Sequence, residues 1–127
     1  APHAGLFGTI DDLSGYGLLL RGAMRGSGSR VFPSAETIAK FTRRSIPAKR
    51  GDWALGFMTP TKGGSSCGIH FSPKSVGHTG FTGTSFWYDP ERDLLVSILS
   101  NRVNPTRENT KFLKVRPLIH DLITQLL

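Results

Sequence analysis

Sulfur, acid and long apolar runs are all scarce in this chain, and each scarcity removes a class of function. Cys67 is the one cysteine in 127 residues, so no internal disulfide is possible and the redox compartment stays open. The four histidines, His3, His70, His78 and His120, fall at no metal-ligand spacing such as His-x-x-x-His. No metal and no other cofactor is expected. No run of about 18 apolar residues exists, which excludes a helical membrane span. The amino-terminal Ala1-Pro2-His3-Ala4-Gly5 has no basic stretch leading into an apolar core, so it does not read as a secretory signal. No internal repeat or low-complexity tract is found.

Lysine and arginine do occur in excess. They number 16 against 9 aspartates and glutamates, a formal net charge of +7. Such a balance is found in proteins that bind nucleic acid or anionic membranes. The densest basic cluster, Arg43, Arg44, Lys49 and Arg50, is broken by Pro47 and carries no alternating aromatics for base stacking. A solvated or subunit-facing loop is the expected reading, and no nucleic-acid partner is expected. Hydrophobic residues at 38% and charged residues at 20% permit a packed core. Fifteen glycines and eight prolines point to many turns.

A helix is expected from Thr9. Thr9-Ile10-Asp11-Asp12 reads as a capping box, with Leu13, Leu18, Leu19 and Leu20 as its buried face. Gly15 and Gly17 weaken that helix and are read as sites of close packing. Gly26-Ser27-Gly28-Ser29 ends it. A second helix starts after the N-cap Ser34 and runs to about Arg43, with Ile38 and Phe41 facing inward. Trp53 to Met58 reads as a strand and Lys62 to Ser66 as a loop. Val76 to Thr82 and Ser85 to Tyr88 read as strands or one bent pair. Asp89-Pro90-Glu91-Arg92-Asp93 is a tight turn, and Leu94 to Leu99 has the near-continuous apolar character of a strand covered on both faces. A last helix is expected from about Val115 to Leu126, with Pro117 in its first turn and Leu118, Leu122, Ile123 and Leu126 as its stripe. Strands joined by short turns and bracketed by helices imply an α/β (α+β) fold, an antiparallel sheet flanked by helices.

Gly77-His78-Thr79-Gly80-Phe81-Thr82-Gly83-Thr84 is the most informative stretch. Glycine is costly inside a strand, and this much of it suits a backbone that something else approaches closely. The stretch resembles the Lys-Thr-Gly strand of serine β-lactamases and penicillin-binding proteins, in the His-Thr-Gly form of class C-like hydrolases and esterases. The resemblance extends along the chain in family order. It includes His3-Ala4-Gly5-Leu6-Phe7 with Asp11-Asp12-Leu13, then Trp53-Ala54-Leu55-Gly56-Phe57, and finally the hairpin from Asp89-Pro90 to its exit at Asn101-Arg102-Val103-Asn104-Pro105.

The resemblance implies a serine hydrolase that works through an acyl-enzyme on an ester, amide or β-lactam bond. It puts His78 where the family has lysine. Thr79 then offers a hydroxyl to the substrate, Gly80 keeps the strand open, and Thr82 and Gly80 line the substrate site. The backbone N–H of Phe81 becomes one oxyanion-hole donor. Histidine in place of lysine removes a fixed positive charge at neutral pH, which favours an esterase or peptidase over an enzyme for carboxylate-bearing β-lactams.

The family's Ser-x-x-Lys is missing. Thr37-Ile38-Ala39-Lys40 and Thr59-Pro60-Thr61-Lys62 have threonine at the nucleophile position, and neither Tyr16 nor Tyr88 opens a Tyr-x-Asn. Residues 1–127 are therefore expected to be the C-terminal part of one β-lactamase-like domain, inactive alone. The expected partners are the N-terminal part with the nucleophile, a small acyl substrate, and a second copy through exposed sheet. A periplasmic or secreted location follows from the resemblance only. The alternative is a small non-catalytic domain that binds a partner or anionic surface through the basic loop.

Other residues have blander readings. Gly64-Ser65-Ser66-Cys67-Gly68 matches a nucleophile elbow but lacks the strand and helix that an elbow needs. Cys67 reads as a partly buried thiol rather than a nucleophile paired with His70 or His78. His120 beside Asp121 reads as a structural or surface pair. Trp87 and Tyr88 read as core. Asn101 and Arg102 could hold the exit loop or face the cleft, and the sequence leaves both open.

Overall fold

The computed structural model describes residues 5–27 and 30–127. Helix α1 spans Ile10–Met24 and α2 spans Ala35–Thr42; strands β1 (Val76–Thr79), β2 (Ser85–Asp89) and β3 (Leu94–Ile98) follow, and α3 (Lys111–Leu126) closes the chain. The strands form one antiparallel sheet in the order β1-β2-β3. Val76 pairs with Tyr88 and Thr79 with Ser85 in one ladder, and Ser85 pairs with Ile98 and Asp89 with Leu94 in the other.

The two-residue period of a strand assigns each side chain of β2 to one face. Phe86 joins Leu20, Ala23, Ile38 and Val76 in a core under α1 and α2. Trp87 joins Cys67, Phe71 and Val96 on the opposite face, with Ile123 of α3 packed against them. The sheet is thus the middle of three layers, and all five residues of β2 are buried.

Thr9 caps α1 as expected. Its hydroxyl accepts the Asp12 N–H, and the Asp12 carboxylate accepts the Thr9 N–H at 2.8 Å. The buried face of α1 differs from the expected one. Leu13, Gly17, Leu20 and Ala23 face the sheet, while Leu18 and Leu19 are exposed. Spacings of three and four fit the helical period, which a run of adjacent leucines cannot. Gly17 lets α1 approach the sheet, since a Cβ there would lie 2.5 Å from Leu95 Cδ2 and 2.9 Å from Phe86 Cε2. Gly15 meets nothing, so the packing role expected for it is not found. In α2, capped by Ser34, Ile38 is buried but Phe41 is exposed. Of the expected turn after α1, Gly26 has φ +81°, while Gly28 and Ser29 lie outside the described residues.

Three further expectations are corrected. Trp53 to Met58 is not a strand. Gly56 has φ +83° and turns the backbone, leaving Trp53 and Met58 bridged to each other and Met58 bridged to Gly77. Leu94 to Leu99 is not covered on both faces: only Val96 is buried in β3, and Leu99 lies beyond the strand and exposed. Helix α3 begins at Lys111, so Pro117 is interior. The missing Pro117 N–H would have bonded the Leu113 carbonyl, and Leu113 lies on the exposed side. The buried residues of α3 are Arg116, His120 and Thr124, whereas Leu118, Leu122 and Leu126 face outward at 59%, 60% and 83% exposure.

Carboxylates fasten the β2–β3 hairpin. Asp89 is fully buried and accepts the Ser72 hydroxyl at 2.7 Å and N–H groups of Ser72, Glu91 and Arg92. Burial pushes its pKa up, but the Ser72 hydroxyl and these amides outweigh burial and hold it below the ordinary value. Asp93, at φ +53°, receives Arg21 through Nε at 2.6 Å and Nη2 at 2.5 Å, and the Tyr88 hydroxyl at 3.0 Å. The Arg21 hydrogen bonds lower its pKa to about 2.

Glycine substitutions separate these constraints. A Cβ on Gly77 would lie 2.2 Å from the Phe86 carbonyl oxygen and 2.4 Å from the Trp87 ring. In denaturant unfolding of the protein at the length its gene encodes, Gly77→Ala is expected to cost about 3 kcal/mol. Gly15→Ala is expected to stabilise by about 0.5–1 kcal/mol.

Candidate active-site wall

The site is built from the free edge of β1. Gly77 turns both its backbone groups away from β2. Its N–H donates to the Met58 carbonyl at 3.0 Å, and its carbonyl accepts the Met58 N–H at 2.7 Å. In an antiparallel ladder the outward groups recur two residues on, at Thr79. Here, among the described residues, no neighbouring segment takes over. The Thr79 carbonyl accepts from its own neighbour, His78 Nδ1, at 2.9 Å. A carbonyl only accepts, so Nδ1 carries a proton in this contact. His78 is exposed and its ring meets Trp53 edge-on, centroids 5.5 Å apart. The Thr79 hydroxyl is half-buried and reaches Met58 Sδ at 3.7 Å.

Beyond Thr79 the chain leaves the ladder, so the strand expected to reach Thr82 ends earlier. Gly80 donates to the Thr84 carbonyl at 2.8 Å, and Gly83, at φ +99°, donates to the Gly80 carbonyl at 3.0 Å. A Cβ on Gly80 would fall 2.1 Å from the Thr84 hydroxyl, and one on Gly83 would fall 2.4 Å from the Ser100 hydroxyl. Gly83 is held to glycine by its φ and by Ser100, whereas a side chain on Gly80 would displace the Thr84 hydroxyl. Phe81 and Thr82 form its exposed tip. Among the described residues the Phe81 N–H donates to no backbone carbonyl. Turn formation thus presents a fixed amide, a hydroxyl and an imidazole nitrogen along one edge.

The tip is held from the side and from behind. The Thr82 carbonyl accepts the Arg102 N–H at 2.8 Å and the Ser100 hydroxyl at 3.3 Å. The Arg102 guanidinium lies 4.8 Å from the centre of the Phe81 ring, and that of Arg107 lies 5.8 Å away. Arg116 is buried beneath, with Nη1 at 3.5 Å from the carbonyls of Gly83 and Thr84. Burial, and then the nearby Arg102, lower its pKa. A cleft of about 350 Å³ adjoins the turn, lined by Ser100, Asn101, Arg102, Asn109, Lys111 and Phe112 among others.

The Beta-lactamase family model matches residues 1–116. The chain belongs to the β-lactamase family. Among curated proteins it is 34% identical over 119 residues to a Salmonella typhi protein provisionally named D-alanyl-D-alanine carboxypeptidase, covering 86% of this chain and 25% of the relative. A Salmonella newport protein of the same name matches at the same identity and coverage. The chain therefore spans about a quarter of the length of these relatives. A crystal structure of a β-lactamase from Mycobacterium bovis superposes with a TM-score of 0.73 at 24% identity, over 93% of this chain and 44% of that one. That likeness establishes the partial α/β fold with its antiparallel sheet. The family relation makes this a sequence of the serine hydrolase class, β-lactamase and penicillin-binding-protein-like.

The five residues singled out in the sequence, His78, Thr79, Gly80, Phe81 and Thr82, are consecutive and share the edge and tip just described. Sequence reasoning left Arg102 undecided and assigned nothing to Ser100 or Arg116. Arg102 holds the exit loop, and its position shortly after the end of β3 at Ile98 was the available signal. The resembling segment His3-Ala4-Gly5-Leu6-Phe7 lies outside the described residues up to Ala4; Leu6 and Phe7 are exposed.

The remaining tempting residues fall outside the wall. Gly64 to Gly68 is a turn with neither strand before nor helix after. Ser65 Oγ lies 3.0 Å from Cys67 Sγ. Burial pushes the Cys67 thiol up to about 11. His120 is fully buried, a correction to its pairing with Asp121. Its Nε2 meets the Ser85 hydroxyl at 3.1 Å, its ring packs edge-on against Phe71, and Asp121 instead accepts the Ile69 and His70 N–H groups.

Burial, and then the charge of Arg116, lower the His120 pKa to about 4. The folded state therefore holds His120 neutral while the unfolded chain protonates it near 6.5. Stability is unaffected by this group above that pH. It falls as pH drops from about 6.5 to 4, by up to about 1.4 kcal/mol per pH unit. Urea unfolding between pH 7 and 4.5 is expected to show this slope, and His120→Gln to remove it. Cys67 is expected to resist iodoacetamide at pH 8 until the protein is unfolded.

Proposed function

We propose that this segment is one wall of a serine acyl hydrolase active site, acting within a longer protein whose other part carries the nucleophile and its lysine. The observation that carries the reading is the Phe81 N–H, which donates to no backbone carbonyl among the described residues, on the turn two residues beyond Thr79 at the end of β1. A fixed amide aimed at a developing oxyanion is worth several kcal/mol in a water-excluded site, and it costs no reorganisation during the reaction. In this reading the nucleophile's own N–H is the second donor. Thr79 and Thr82 orient the acyl substrate, Gly80 keeps the approach clear, and His78 Nε2 takes or shares a proton near the substrate.

The substrate class is an ester or amide, with peptides ending in D-alanyl-D-alanine suggested by the names of the relatives. Neutral histidine in the lysine position gives less attraction to a substrate carboxylate, which disfavours β-lactams. The coverage of a quarter of each relative supports a second portion of chain. So do the outward Leu118, Leu122 and Leu126 of α3, which a further layer would cover. A periplasmic or secreted location fits such substrates. In the basic loop of the alternative reading, Arg44 is engaged within the chain, bonding Asp52 at 2.5 Å and the Pro60 carbonyl at 2.8 Å.

In the protein at its gene-encoded length, Thr79→Val and His78→Ala are each expected to lower kcat/KM for p-nitrophenyl esters by about 10- to 1000-fold. Residues 1–127 alone are expected to show no turnover. Full activity in both variants would overturn the site assignment.

A further inference from the structure

We infer that Arg102 is a positioning residue for the reaction, one that fixes the Phe81 amide by clamping both ends of the turn tip. The inference rests on the reading of that amide as an oxyanion donor. Phe81 is 62% exposed, and the aromatic and cation contacts of its ring are to two guanidiniums, with Arg102 the nearer. Arg102 itself is anchored. Its backbone N–H holds the Thr82 carbonyl at 2.8 Å, and its Nη1 donates to the carbonyls of Asn109 at 2.8 Å and Arg107 at 3.2 Å. One residue therefore ties the tip's backbone to the β3 exit and the tip's side chain to the 107–109 loop.

The chemistry requires arginine. The planar guanidinium lies flat on an aromatic face and offers donors in a rigid fork, so it can stack on Phe81 while bonding carbonyls behind it. Lysine keeps the charge and loses the plate and the fork. Removing the clamp leaves the N–H in place but lets the tip sample orientations in which it misses the oxyanion. Misplacement of this order costs rate rather than binding.

The test uses the protein at its gene-encoded length, an activated ester substrate, and a boronic acid as transition-state analogue. Arg102→Ala and Arg102→Lys are expected to lower kcat by about 10- to 100-fold with KM within threefold. The boronic acid Ki is expected to weaken in parallel, while substrate-like competitive inhibitors bind as before. Phe81→Leu, which keeps the N–H and loses the stacking face, is expected to match Arg102→Ala, and the double variant to be no worse than either single one. A purely structural role would lower thermal stability without that split between kcat and KM. If Phe81→Pro, which removes the N–H, abolishes turnover while both Arg102 variants stay within twofold of wild type, the clamp is overturned and the amide reading stands. If Phe81→Pro folds and turns over normally, the amide reading fails and the clamp with it.

Discussion

The contact between Gly77 and Trp87 sets the geometry on which the site depends. Gly77 lies opposite Trp87 in the β1–β2 ladder, and the indole packs where any side chain on Gly77 would be. With no Cβ, β1 can lie flush against β2 and still turn both its backbone groups outward to Met58. The fully buried Trp87 then anchors the layer that contains Phe71, Val96 and α3. Shifting this register by one residue would carry Trp87 to the α1 face and Phe86 to the α3 face, exchanging the two cores. It would also exchange the faces of the sheet to which His78 and Thr79 belong at the edge of β1.

Charge is used sparingly to lock what packing has placed. Asp89 and Asp93 bracket the β2–β3 turn with different partners, one buried among hydroxyl and amide donors and the other facing Arg21 on α1. The first fixes the turn to the 72–75 segment. The second fixes the helical layer to the sheet. Arg102 and Arg116 approach the site turn without a carboxylate among their hydrogen-bond partners, donating instead to backbone carbonyls. The turn thus keeps a positive surround, which suits the proposed reaction, one that builds negative charge on oxygen.

Much of this was legible in the sequence, and the misses share a cause. The capping box of α1, the Ser34 cap of α2, the Asp89–Asp93 turn and the aromatic strand are local signals, and they are read from a few neighbouring residues. The candidate site residues were singled out because glycine where a strand should be is conspicuous and because the stretch resembles the family's Lys-Thr-Gly strand. The buried face of α3 was not legible. Leu118, Leu122 and Leu126 of its apolar stripe face outward and only Ile123 packs inward, while arginine, histidine and threonine face the core, because the sheet surface beneath offers Ser85 and the turn carbonyls as partners. Nothing in periodicity reveals that a polar face is the buried one. Trp53 to Met58 misled for the opposite reason: its residues have strand propensity, but Gly56 at positive φ folds them into a turn. The contacts of Arg102 join the 81–82 tip to the 102–109 segment, distant in sequence, and only the fold brings them together.

The central claim is that this chain forms one wall of an acyl-transfer site whose nucleophile lies outside residues 1–127. The direct measurement is peptide mapping by mass spectrometry after the protein, at the length its gene encodes, is labelled with a fluorophosphonate. The account expects a single adduct on a serine outside these residues, within a Ser-x-x-Lys sequence. An adduct on Ser65, Ser66 or Cys67, or no adduct on the folded protein, would contradict it.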